Sequence, residues 1–101
     1  MRAAIITQRA RRDVSSAVRW IAKDNRAAAN GLRKAVITVA KRIGNHPHIG
    51  FLRPDISAEA LRFVSLTRYP YMIVYDAEKS PPEILRVLHG ARDIPWLLQR
   101  P

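Results

Sequence analysis

Cysteine is absent from this chain of 101 residues. That excludes disulfides, a thiol nucleophile and cysteine-based zinc sites, and it fits a reducing compartment. Long apolar runs are missing too. No window approaches the roughly 18 apolar residues of a membrane span, and the stretch from Met1 to Thr7 is too short and too mixed for a secretory signal. A cytoplasmic chain with no membrane association is therefore expected. The sequence has 4 glycines and no phosphate-cradling glycine loop, metalloprotease helix or hydrolase elbow. The 8 acidic residues are scattered rather than paired, so two-carboxylate acid–base chemistry has no foundation. His46 and His48 have neither carboxylate nor thiol company and read as loop histidines. No metal site and no cofactor are expected.

The residues that are present bound the rest. A hydrophobic fraction of 48% is enough for a packed core, and the length allows one domain, residues 1–101. The net charge is +10, and it is unevenly placed. Residues 1–53 hold 12 Lys and Arg against two acids, Asp13 and Asp24, whereas residues 54–101 hold six of each sign. The whole excess sits in the first half, which predicts an acidic partner for that half: nucleic acid, a membrane surface or an acidic protein segment.

Met1 to Ile6 is a short strand candidate, and Thr7 can cap a helix beginning just after it. From about Arg9, apolar residues recur at Ala10, Val14, Ala17, Val18 and Ile21, one face of a helix with arginines around it. Asp24-Asn25 ends this helix or caps the next. A second helix spans about Arg26 to Ile43, striped by Ala28, Ala29, Leu32, Val36, Val39 and Ile43. Gly31 interrupts it at a cost of about 1 kcal/mol against alanine, and Gly44 is the expected stop. The short joint predicts an antiparallel helix hairpin with a basic outer surface. Asn45 to Ser57, with Pro47, Gly50 and Pro54, is expected to be a loop. Then come three strands, Leu61–Thr67, Tyr71–Tyr75 and Glu83–His89, joined closely enough for an antiparallel meander. The expected fold is α+β in two layers: an N-terminal strand, an antiparallel helix hairpin, then a three-stranded antiparallel meander. The sequence does not say which later strand the first one joins.

Cationic chemistry is what remains. Arg62 lies on the first meander strand, Arg86 on the last, and His89 and Arg92 at its exit. Converged at one end of the sheet, Arg62 and Arg86 would grip a phosphate while His89 moved a proton, as RNA cleavage requires. The alternative is a set of surface arginines paired with Glu59 or Glu83, and a strand-end histidine. Tyr71, Ile73 and Tyr75 share one strand face, Met72 and Val74 the other. With Tyr69, the tyrosines form either a base-stacking platform or, more simply, core packing with hydroxyls at its rim. Trp20 and Trp96 are expected to anchor core or hinge.

The run Ile84-Leu85-Arg86-Val87-Leu88-His89-Gly90-Ala91-Arg92-Asp93 with Pro95 resembles the C-terminal strand of the RelE/ParE toxin superfamily, its ParE branch in particular. The resemblance extends over nearly the whole chain. It is carried by Asp13-Val14 and Ile21-Ala22-Lys23-Asp24-Asn25, then Ala27-Ala28-Ala29, Arg53-Pro54-Asp55, Leu61-Arg62 and Tyr75. It implies the toxin half of a bacterial type II toxin–antitoxin system, of the kind tied to plasmid or chromosomal stability. The implied partner is a ParD-like antitoxin with a ribbon-helix-helix head and an acidic flexible tail that folds onto the basic hairpin. The two would form a hetero-oligomeric complex, with DNA reached only through the antitoxin. ParE-type toxins poison DNA gyrase, whereas RelE-type toxins are ribosome-dependent mRNA endonucleases. This chain has no tyrosine after Tyr75 and a ParE-like end, so gyrase inhibition without chemistry is the expected action. The target-facing residues would be Arg86, His89, Arg92, Trp96 and Leu97, within a segment running to Leu98. The antitoxin-facing residues would be Trp20, Arg33, Val36 and Ile37. The alternative is the endonuclease, with Arg62, Arg86 and His89 as its catalytic set. A plain nucleic-acid binder using the basic hairpin is a third reading.

Overall fold

The computed structural model describes residues 2–56 and 60–98, with side chains as far as Pro95. The elements are β1 (Ile5–Ile6), α1 (Gln8–Ala22), α2 (Arg26–Asn45), β2 (Phe51–Leu52), β3 (Arg62–Ser65), β4 (Tyr71–Asp76), β5 (Glu83–His89) and α3 (Gly90–Leu98). The helices start where their capping chemistry predicts. The Thr7 hydroxyl accepts the Ala10 N–H, and the Asn25 side chain accepts the Ala28 N–H at 2.9 Å. Only the turn from Lys23 to Asn25 separates α1 from α2, so the two pack as a hairpin.

All five strands form one sheet in the order β1-β5-β4-β3-β2. β3, β4 and β5 are the expected antiparallel meander. β1 joins it at the far side, parallel to β5, through Ile5 opposite Glu83 and Ile6 opposite Ile84. The hairpin covers one face. Tyr71, Ile73, Tyr75, Ile84 and Val87 point there and pack with Ala10, Val14, Leu32, Val36 and Ile43. The opposite face carries a smaller cluster of Phe63, Val74 and Leu88, sealed by Ile94 of α3. The tyrosine strand is thus core and not a stacking surface, since Tyr71 and Tyr75 are buried.

Three expectations need correction. The stretch from Asn45 to Ser57 is not all loop, because β2 pairs within it, Phe51 opposite Phe63 and Leu52 opposite Arg62. A two-residue strand is too short to display a period. Gly44 does not end α2, which runs on to Asn45. It lies in the helix because the backbone of Arg2 and Ala3 crosses where its side chain would be. Gly31 answers the same need, making room for the Tyr69 hydroxyl, which donates to the Ala28 carbonyl at 2.8 Å. Trp20 is no core anchor. It is 61% exposed, with the Lys23 ammonium 4.9 Å from its ring centroid. The side chains of Trp96 and Leu97, and all of Glu59, lie outside the described residues.

Candidate functional site: the free edge of β5 and its junction with α3

β1 is so short that it covers β5 only at Glu83 and Ile84. Thr7 closes that contact, its hydroxyl donating to the Ile84 carbonyl at 2.8 Å. Beyond it, α1 runs along the uncovered edge. The N–H groups of Val87 and His89 point outward there, and a strand edge with unmet donors invites pairing or solvent. Both donors end on carboxylates instead. Val87 donates to Asp13 at 2.9 Å and His89 to Asp93 at 2.8 Å.

Each carboxylate also holds an arginine. Asp13 accepts from Arg86 Nε at 2.8 Å and from Nη2 at 3.2 Å, a two-pronged bond across 73 residues of chain. That hydrogen bond raises the Arg86 guanidinium above its ordinary range, against the opposing effect of burial. Asp93 accepts from Arg92 at 3.0 and 3.3 Å. Burial works to raise the Asp93 carboxyl, but the Arg92 guanidinium and the His89 N–H outweigh it, and the group ends below its ordinary range. His89 turns its ring back on α3. Its Nδ1 accepts the Arg92 N–H at 3.1 Å, which requires that nitrogen to be unprotonated. The ring meets Tyr71 edge-on, with centroids 5.2 Å apart. The Tyr71 hydroxyl is buried and has no hydrogen-bond partner among the described residues.

Arg86, His89 and Arg92 are therefore brought together along one edge, each engaged with the chain itself. Arg62 is not with them. It sits opposite Tyr75, whereas His89 sits opposite Tyr71, four residues away along β4. At strand spacing that is roughly 13 Å, with β4 between the two side chains. The Arg62 guanidinium donates to the Gly50 and His48 carbonyls at 2.7 and 3.4 Å. Beside it the Tyr75 hydroxyl donates to the Pro47 carbonyl at 2.6 Å and accepts the Gly50 N–H at 2.9 Å. Burial raises the Tyr75 phenol, with the Gly50 N–H and Arg62 acting the other way. Arg62 and Tyr75 together fix the loop that delivers β2. Arg62 is thus separated from His89, whereas Arg86, opposite Val74, is one residue step along β4 from the level of Arg62 and is held by Asp13.

On the hairpin, Arg33, Val36 and Ile37 line one groove with Ile6, Arg11 and Val14, a cavity of about 310 Å³ between α1 and α2. Val36 is its floor, 2% exposed, and Ile37 its lip, 48% exposed. Trp20 is not among the residues lining this groove.

The residue that sequence reasoning passes over is Asp13. It is the one acid in α1, set among Arg9, Arg11, Arg12 and Arg19. A lone carboxylate in so basic a helix is a signal that it has a fixed partner, though not which one.

Residues 4–94 match a family model described as the ParE toxin of type II toxin-antitoxin system, parDE. A search of curated proteins found no match.

Proposed function

This chain belongs to the ParE toxin family of type II toxin–antitoxin systems, and from that premise we propose that it inhibits DNA gyrase by binding. The surface would be the β5–α3 junction: Arg86, His89 and Arg92, continued by Trp96 and Leu97. The observation that carries this reading is the state of the cationic groups. Arg86 and Arg92 are each held by a carboxylate, and Arg62 lies four residues along β4 from the level of His89. Cleavage of RNA needs convergent groups aimed at the substrate, whereas a shape held rigid by ion pairs suits recognition.

The family implies an antitoxin. We propose a ParD-like partner in a hetero-oligomeric cytoplasmic complex, whose ribbon-helix-helix head supplies the DNA contact. Its acidic tail would lie on the hairpin, over the groove of Arg33, Val36 and Ile37 and toward Trp20. The apolar floor and basic rim of that groove support this choice of occupant.

The test is induction of the chain alone in bacteria, with pulse labelling of DNA and protein synthesis over the first minutes. DNA synthesis failing first is the expected result, and Arg92→Ala should blunt it while antitoxin binding persists. Protein synthesis failing first, with cut transcripts, would replace this reading with the endonuclease. Full toxicity after truncation at Asp93 would remove α3 from the target surface.

A further inference from the structure

The opposite edge of the sheet is built for something else. β2 pairs with β3 only at Phe63 and Arg62. From Val64 onward that side of β3 has no strand neighbour among the described residues. Two cavities, of about 360 and 450 Å³, run along this open edge and share Arg42, Ser65 and Thr67. α2 and the Arg68–Tyr69 turn wall the first, and Phe51 and Met72 help to wall the second. Their linings hold three arginines, Arg42, Arg53 and Arg68, and no acidic side chain. Arg53 is tied to Asp55 at 2.8 Å. Arg42 and Arg68 have no carboxylate within ion-pair distance among the described residues. Thr38, Ser65 and Thr67 line the same cavity as these two arginines. Phe51, 75% exposed, lines the second cavity.

We propose that this groove binds single-stranded nucleic acid, with phosphates on Arg42 and Arg68 and a base stacked on Phe51. Two arginines with neighbouring hydroxyl donors and no acid select a polyanion. An exposed aromatic ring in a cationic groove is the arrangement on which unpaired bases stack. A duplex keeps its bases stacked on one another and has no use for that ring. An acidic peptide adding to the sheet would use the free backbone of β3, but that strand continues only through Val64 and Ser65 past its pairing with β2. The hydroxyls and the ring would then be left idle. The inference is independent of the gyrase reading, because it is tested by binding alone.

The measurement is fluorescence anisotropy of a labelled oligothymidylate with the purified full chain across a salt series. The wild-type chain should bind with log K falling linearly in log salt. Arg42→Gln with Arg68→Gln should lower the slope by about 1.4, at roughly 0.7 per phosphate, and Arg42→Gln alone by half that. Phe51→Ala should weaken binding about 5- to 150-fold with the slope unchanged. The altered side chains lie on the surface, so thermal melts of the variants should match wild type and certify their fold. Equal binding by wild type and all three variants would move any affinity to the hairpin arginines and overturn the proposal. So would a duplex bound as tightly as the single strand, or no binding at about 50 mM salt. Displacement by a polyglutamate peptide that is indifferent to Phe51→Ala would mean that the groove takes an acidic peptide.

Discussion

The two edges of this sheet face the same problem and treat it in opposite ways. Along β5, two outward N–H groups are met by Asp13 and Asp93, and each carboxylate is clamped in turn by an arginine. Along β2 and β3 the edge stays open, with Phe51 and Leu52 exposed and arginines around it. In a chain of net charge +10 with 8 acids, placing two of them on one strand edge is a costly allocation. It closes that edge to further strands and fixes the direction in which α3 leaves. The contrast separates an edge whose backbone donors are met within the chain from one left open among the described residues.

The largest way to break that contrast is Asp13→Ala. It leaves the Val87 N–H and a partly buried guanidinium without their acceptor, for a loss of about 2–4 kcal/mol. Urea unfolding should show it as a lower midpoint with an unchanged slope. A loss below about 0.5 kcal/mol would mean that water replaces the carboxylate without cost. Tyr75→Phe acts on the other side. It removes the hydroxyl that holds Pro47 and Gly50, and about 1–3 kcal/mol is expected to go with it. Hydrogen exchange should speed up at Gly50 and through β2 while the Val87 amide stays protected. Equal acceleration at both edges would show that they are one cooperative unit.

A gentler probe is acid. The Asp93 carboxyl is lowered in the folded chain, so it stabilises the fold above the ordinary value of 3.8. That contribution is lost as pH falls from there through the lower folded value. The protection of the His89 amide, corrected for intrinsic exchange, should fall over that window, and Asp93→Asn should abolish that change. A His89 amide whose exchange tracks only the ordinary pH dependence of an exposed group would separate Asp93 from the edge. Smallest of all is Asp55→Asn. Its pair with Arg53 is exposed, and its loss should leave the melting curve of the chain where it was.

Much of the fold is legible in the sequence, and the reasons differ by element. The helix stripes are long enough to repeat several times, and Thr7 and Asn25 mark the starts by side-chain chemistry that acts locally. The meander shows itself through close, turn-separated apolar runs. Asp13 does not, because its partner lies 73 residues away and nothing in spacing measures such a distance. Arg62, Arg86 and His89 look like one cluster for a related reason. A strand assignment gives the face a residue takes but not which end of the sheet it occupies, and register alone puts Arg62 beside Tyr75. Gly44 reads as a terminator because its use is tertiary, the crossing of Arg2 over the helix.

α3 begins at Gly90, the residue directly after the last of β5, with no linking residue between them. Strand and helix consequently share a single phase. The alternation of β5 sets where the helix starts to turn, and Ile94 reaches the second cluster only because it is five residues past His89. One inserted residue would rotate everything beyond it by about 100° and carry Ile94 away from Phe63, Val74 and Leu88. A surface loop absorbs such a change in length. Here the count of residues between His89 and Ile94 is itself a dimension of the molecule, as fixed as a bond angle.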